Sequence, residues 1–284
     1  MKVDSTFHIG QAHINHVSPC QDFADHSLDA NSAFVVVSDG CSTGGQTDIG
    51  ARLIARHAIK DYRSGTLRAN GSDQNFIEAG KLDFDLENLS LTHRDLFATA
   101  LTVEWNPLFE GKLRVAGDGV VACMYDTTTI LYRFEWANNT PFYPIYFSPS
   151  GQASGLAKSF IDIHKDNPHP FLCTSVTITE GMVEEQWPMT LTEGAAFQVW
   201  NVHILHCQMQ EKLKGIALFS DGITQITNAA GETLDWIAAV QTCLAFKNST
   251  GDFVKRRVRR AIQDWARHGY VPQDDLSMAV ILNE

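Results

Sequence analysis

The stretch "AFVVVSDG", residues 33–40, is a short β-branched apolar run that stops at an acid followed by a glycine. Its length, its valines and the turn pair that closes it describe a buried strand. The same ending recurs in "KLRVAGDG" (112–119) and in "GIALFSDG" (215–222). One Asp-Gly after a strand is an ordinary turn, because Asp accepts local backbone hydrogen bonds and Gly tolerates positive φ. Three of them after three apolar runs ask for another reason. Two further acidic stretches flank the set: "CQDFAD" (20–25) stands just before the first strand, and "PQDDLSMAVI" (272–281) places two acids directly ahead of the last.

Outward from that strand, "QTDIGARLIARHAIKDY" (46–62) has the spacing of a helix. Thr47 or Asp48 is its expected cap, and Ile49, Leu53, Ile54 and Ala58 share a face. Residues 63–95 are polar and mixed, with a weak helical signal near "NFIEAGKL" (75–82). From "LFATALTVEW" (96–105) the pattern turns to strands. "KLRVAGDGVVACMYD" (112–126) reads as a hairpin turning at Asp118-Gly119. "TTILYRFEW", "TSVTITEG" and "AAFQVWNVHIL" continue the β character. Helices are expected at about 232–246 and over 251–269. In the second, Val254, Val258, Ile262 and Trp265 form the apolar stripe and Gly269 the stop. "LSMAVIL" (276–282) closes as a strand. Strands in consecutive runs with helices gathered in two places give an α+β fold with mostly antiparallel sheets. No Pro/Ser-rich linker divides it, so a single domain over 1–284 is expected.

The bulk composition agrees with a soluble core: of 284 residues, 44% are apolar and 19% charged. The formal charge of −11 sets nucleic acid aside as a partner. No run approaches a membrane span, and the N-terminal stretch lacks an apolar signal core. The six cysteines are scattered, without the close pairs of a zinc site, and read as thiols in a reducing compartment. A cytoplasmic location follows as the expectation.

Neighbouring strands bring their ends together, so the acids are expected to crowd one sheet edge. Two carboxylates about 4 Å apart repel by roughly 4 kcal/mol at an effective dielectric of 20. Four or five together need protons or cations. Hard divalent ions such as magnesium and manganese, with their preference for carboxylate and water oxygens, answer that need.

In order along the chain, "CQDFAD", "AFVVVSDG", "TDIGARL", "AGDG", "ALFSDGI" and "DDLS" resemble the motifs of the metal-dependent serine/threonine protein phosphatases of the 2C type, and their bacterial branch most of all. The motifs frame residues 20–281; the stretch 130–214 carries none. The resemblance implies a four-layer α-β-β-α sandwich with metals in a cleft at one end. It implies Asp39 as the acid shared by two core Mn2+ or Mg2+ ions and the Gly40 carbonyl as a further ligand. Asp221 and Asp274 become core ligands. Asp22 becomes an acid acting on the core through water, and Asp118 the acid of a third, weaker ion. Asp275 stands where the family often has Asn and is expected outside the metal contacts. The implied chemistry is attack on a phosphomonoester by a water activated between two metals, without a covalent intermediate. The implied substrate is a phosphorylated protein, with a cognate serine/threonine kinase as counterpart, and the enzyme is expected as a monomer.

Two positions depart from the pattern. The family usually places an Arg upstream of the early acid; "GQAHINHVSPCQD" (10–22) offers His13 and His16 instead. His13 is the candidate general acid or phosphate contact. Many eukaryotic members have a His after the first Asp-Gly, where this chain has Cys41. A thiolate beside carboxylates is a poor nucleophile, so Cys41 is not assigned the attack. Two alternatives compete: a regulatory or binding module on the same scaffold, which the missing Arg favours, and a response-regulator-like domain, which would need a parallel sheet.

Overall fold

The first strand pair sets the frame. β2 (Asp22–Leu28) and β3 (Ala33–Asp39) form an antiparallel hairpin whose register puts Asp22 directly opposite Asp39. The computed structural model describes residues 1–65, 79–106, 111–167, 170–190, 198–201 and 212–283. β3 is buried on both faces, from Ala33 to Val37, which is why its apolar run is continuous rather than alternating. Next to it lie β4 (Ala100–Trp105), β5 (Gly111–Ala116) and β10 (Gln198–Asn201), giving a five-stranded sheet in the order β10-β5-β4-β3-β2.

The second sheet has seven strands. β1 (Lys2–His8) pairs along β14 (Leu276–Leu282), and β14 pairs with β11 (Gly215–Phe219). Beyond β11 come β6 (Gly119–Met124), β7 (Thr128–Trp136), β8 (Phe171–Thr179) and β9 (Met182–Thr190). A small ribbon, β12 (Ile226–Thr227) with β13 (Val271–Pro272), stands apart. Every pairing between these strands is antiparallel. That removes the response-regulator alternative, which requires parallel strands joined by helical crossovers.

Both central sheets are apolar on both faces because each is covered twice. In β6, β11 and β14, the residues Val121, Cys123, Ile216, Leu218, Ala279 and Ile281 belong to the core shared with the five-stranded sheet. Their alternate neighbours, among them Val120, Phe219 and Met278, pack with Ile237, Val240, Val254, Val258 and Trp265. Those last residues come from α6 (Trp236–Leu244) and α7 (Phe253–Arg267). On the other side α2 (Thr47–Ser64) lies over β2, β3 and β4, with α3 (Ala79–Asn88) beside it. The short helices α1 (Gln11–His16), α4 (Pro149–Ala153) and α5 (Leu156–His164) complete the set among the described residues. The layers are helix, sheet, sheet, helix, as the family resemblance implies.

Three local expectations change. The segment 112–126 is not a hairpin. β5 pairs with β4 and β10, whereas β6 pairs with β11 and β7, so Gly117-Asp118-Gly119 carries the chain from one sheet to the other. Gly119 has φ +139°, and a Cβ there would lie 2.6 Å from the Phe219 carbonyl oxygen, so no other residue makes this crossing easily. At α2, Gln46 occupies the cap and Thr47 lies within the first turn; its hydroxyl donates to the Cys41 carbonyl (3.1 Å) and accepts from Gln21 Nε2 (2.8 Å). The helix expected at 232–246 covers only 236–244, capped by the Asp235 carboxylate on the Ile237 N–H at 3.2 Å. Gly269 ends α7 as expected, with φ +80° and its N–H on Ala266 O. The weak helical signal near 75–82 falls partly on α3; residues 75–78, like most of 195–205 and Cys207, lie outside the described residues.

Candidate active site

The acids collect at one end of the sandwich, not along one sheet edge. Asp22 and Asp39 belong to the five-stranded sheet. Asp221 follows β11 and Asp274 precedes β14 in the seven-stranded sheet, and Asp118 lies on the crossing between the two. The Asp22–Asp39 register pair is a like-charge pair directly across a ladder, which destabilises a sheet by itself. Asp22 is 1% exposed. Its Oδ2 accepts from the Ser220 hydroxyl at 2.6 Å, and Ser220 Oγ accepts from the Ser277 N–H at 2.9 Å, which ties the two sheets together at the acids. Its Oδ1 is buried with no hydrogen-bond partner among the described residues.

Burial pushes the Asp22 carboxyl up to about 7, hydrogen bonding with Asp39 and with Ser220 opposing the rise and the Asp275 charge adding to it. Asp39 rises well above the ordinary carboxylate range, first through burial and then through the charges of Asp22, Asp221 and Asp274. Asp118 rises likewise by burial, with Asp221 and Glu135 adding. Asp221 rises by burial and by Asp274. An array of carboxylates that resist ionisation, one with an orphaned buried oxygen, suits a divalent cation. The ion would supply the positive charge and the missing partner at once. The donor set is all oxygen, which favours magnesium or manganese over zinc.

Gly40 and Gly222, after Asp39 and Asp221, serve close packing rather than a turn. A Cβ on Gly40 would lie 2.7 Å from the Thr47 carbonyl oxygen, and one on Gly222 would lie 1.9 Å from that of Asp275. Neither has positive φ. The strand ends therefore sit against α2 and against the Asp274-Asp275 corner, and this fixes the acids relative to one another. Asp39 is held further by its N–H on Thr99 Oγ1 (3.2 Å) and its carbonyl on the Thr99 N–H (2.7 Å).

Asp275 lies outside the acid cluster proper and braces the N-terminal segment. It is 2% exposed. Oδ1 accepts from the Gly10 N–H at 2.7 Å; Oδ2 accepts from the Gln21 N–H at 2.5 Å and faces His13 Nδ1 at 2.7 Å. A carboxylate can only accept, so the Nδ1 of His13 carries a proton. Its Nε2 lies 4.0 Å from Asp274 Oδ1. His13, Asp274 and Asp275 bring donor atoms within 4.8 Å of one another, close enough for a cation. The three hydrogen bonds on Asp275 argue instead for a structural carboxylate.

Two cavities flank the acids. One, of about 390 Å3, is lined by His13, His16, Gln21, Ser42 and Asp274. The other, of about 400 Å3, is lined by Asp118, Arg133, Glu135, Trp136 and Asp221. Gln225 borders both and donates from Nε2 to Asp221 Oδ2 (2.8 Å) and Asp274 Oδ2 (3.4 Å). The sequence singles out the acids and His13 as candidates but not Arg133, Gln225, Ser220 or Trp136. Trp136, whose Nε1 donates to Gly117 O at 2.9 Å, pins the crossing that carries Asp118. No spacing rule announces these residues, because each reaches the site from a strand or turn distant in sequence.

Two antiparallel sheets with helices on both outer faces bring carboxylates from both sheets together at one end of an α-β-β-α sandwich. The sequence profile of protein phosphatase 2C matches residues 9–265, and the chain belongs to that family. With the family comes the activity: metal-dependent hydrolysis of phosphoserine and phosphothreonine in proteins. No curated protein matches the sequence. Among solved structures, the serine/threonine phosphatase Stp1 from Staphylococcus aureus is 11% identical, with 100% of this chain and 96% of that one covered and a TM-score of 0.50. The photosystem II phosphatase PBCP is also 11% identical, with 99% and 98% covered and a TM-score of 0.50. At such identities the likeness is one of fold. Among the described residues no helix is long and apolar enough to cross a membrane.

Proposed function

We propose that Asp39, Asp22, Asp221 and Asp274, with the Gly40 carbonyl, hold two core divalent cations, and that Asp118 serves a third, outlying one. The observation that carries this reading is the Asp22–Asp39 register pair, closed in by Asp221 and Asp274. Bound there, the cations would neutralise the phosphoryl oxygens and acidify a water for in-line attack on phosphorus. Asp39, which feels the charges of all three other core acids, is the acid best suited to be shared. Ser220 orients Asp22, and Gln225 orients Asp221 and Asp274.

His13 is the proposed proton donor or phosphate contact. Asp275 fixes its ring through Nδ1, so Nε2 is the atom available to the cavity. Arg133, paired with Glu135 at 2.6 Å, is the cation on the Asp118 side and can receive an anionic group of the substrate there. This reading includes one catalytic domain over 1–284, which the pairing of β1 with β14 supports by joining the two ends of the chain. It also includes a cytoplasmic monomer that reverses the work of a serine/threonine kinase.

The experiment is hydrolysis of a phosphothreonine peptide with manganese and magnesium titrations and a chelator control, on the wild type and on Asp39→Asn. Turnover that needs the metal and vanishes in Asp39→Asn is expected. Turnover that survives chelation would defeat the cation assignment. A folded, metal-binding chain without turnover would favour the regulatory-module reading.

A further inference from the structure

Helix α7 holds a second feature that the acid cluster does not use. Lys255, Arg256, Arg257, Arg259 and Arg260 place five cations in six residues of a chain whose formal charge is −11. Arg256, Arg257 and Arg260, with Lys247 from the preceding loop, line a cavity of about 520 Å3. Its apolar wall is Phe246 and Phe253, packed edge to face at 5.1 Å. One carboxylate, Asp264, faces these four cations from within the cavity lining, and it is shared between Arg260 (3.2 Å) and Arg267 (2.7 Å).

The arrangement costs stability. Lys255–Arg257 sit in the first turns of α7, where the helix dipole disfavours cations. Arg256 and Arg260 are like charges at i,i+4, which is also unfavourable. The guanidinium groups of Arg256 and Arg257 are nonetheless held in place by neutral acceptors. Arg257 Nε donates to Thr242 O at 2.5 Å, and Arg256 Nη2 donates to Asn248 Oδ1 at 2.8 Å and to Thr250 O at 2.6 Å. Carbonyls orient a guanidinium without neutralising it. Among the described residues neither these two arginines nor Lys247 has a carboxylate within 4 Å. Cations left without a carboxylate among the described residues are expected where a ligand supplies one.

We propose that this groove docks an acidic segment of a partner protein, its carboxylates on Lys247, Arg256, Arg257 and Arg260 and an apolar side chain against Phe246 and Phe253. Arginine forks match carboxylates in geometry as well as charge. Arg256 to Arg260 spans about 6 Å along the helix axis, with Lys247 on a separate segment, which suits several spaced carboxylates better than one phosphate. A long polyanion such as nucleic acid would meet the acidic remainder of the chain, whereas a short segment meets the groove alone. The groove is also remote from the acid cluster. The Val254 N–H donates to Asp4 Oδ2 at 2.6 Å, and Asp4 pairs with Val280, four residues along β14 from Leu276. That is about 13 Å of strand away. A docked segment would thus tether its protein without entering the catalytic cleft.

The test uses the full chain and a fluorescein-labelled short peptide of glutamate and aspartate around one leucine, read by anisotropy. Saturable binding at least tenfold tighter than that of the glutamine/asparagine version, and weakened by salt, is expected. Lys247→Glu and Arg260→Glu should each weaken it about fivefold or more while aryl phosphate hydrolysis stays unchanged. Lys247 serves as the safer variant, because it is exposed and its replacement leaves the helix intact. Absence of saturable binding would overturn the proposal, as would equal binding of the amide peptide or indifference to both charge reversals. Tighter binding of a DNA oligonucleotide or of phosphatidylserine vesicles than of the acidic peptide would assign the groove to another class of partner and overturn it too.

Discussion

Stripping divalent cations from this protein at pH 8 is expected to lower its melting temperature, and lowering the pH to 5 is expected to shrink the effect to less than half. Asp22 is buried and its carboxyl is pushed from 3.8 to about 7. A shift in that direction favours the protonated form, and Asp39 beside it is shifted the same way. The sign follows from the direction of the shift. A carboxyl whose folded value is raised contributes its stability fully below its unfolded value of 3.8, and that contribution is lost as the pH rises through about 7. At pH 8 the cation-free chain has lost it, and Asp39, raised further by Asp22, Asp221 and Asp274, repels its neighbours as far as it ionises. A cation at 100 times its dissociation constant adds about 2.7 kcal/mol. At roughly 2–4 °C per kcal/mol for a chain of this size, millimolar manganese should raise the melting temperature by about 5–10 °C at pH 8. At pH 5 the cation must displace protons from the same oxygens, and each pH unit costs about tenfold in affinity per proton released, so the rise should fall below half. Asp39→Asn supplies the converse: without metal at pH 8 it should melt higher than the wild type, and manganese should no longer raise it. Scanning calorimetry at both pH values, with manganese and with chelator, gives the answer. No rise at saturating metal, or equal rises at pH 5 and pH 8, would refute the reasoning.

Asp118→Ala should leave the two tightest cations in place by titration calorimetry while Asp39→Asn loses them; the reverse result would exchange their roles. His13→Ala should slow phosphopeptide hydrolysis by about 10²–10⁴-fold and para-nitrophenyl phosphate hydrolysis far less if Nε2 protonates the leaving oxygen. Equal losses, mostly in KM, would make it a phosphate contact, and no change in either rate would remove it from the reaction. Arg133→Ala is expected to raise KM for phosphopeptides with kcat little changed, measured in the same assay. Asp275→Asn leaves at least one of the Gly10 and Gln21 N–H groups without its acceptor. A cost of about 1–3 kcal/mol is expected, seen as a lower melting temperature together with weaker metal binding, because Asp274 is the adjacent residue.

Much of the fold could be read from residue order. The unbroken apolar runs at 33–37, 215–219 and 278–281 are buried strands because strands covered on both faces have no side to leave polar. The α7 stripe is buried at Val254, Val258 and Trp265 as its period requires. The acids at the ends of these runs stood out because their repulsion follows from charge alone. The sequence could not tell which strands would be neighbours. The turn signal at Gly117-Asp118-Gly119 specifies backbone angles, and those angles serve a hairpin and a sheet crossing equally well. Only the competition of β4 and β10 for β5, and of β11 and β7 for β6, decides between them. The Asp22–Asp39 register, the brace from Asp275 to His13 across 262 residues of chain, and the approach of Arg133 to the acids depend on the same packing. Residue type and period fix what each segment prefers on its own. Which carboxylates meet, and which oxygens are left without a partner, is fixed by how two sheets close on one another.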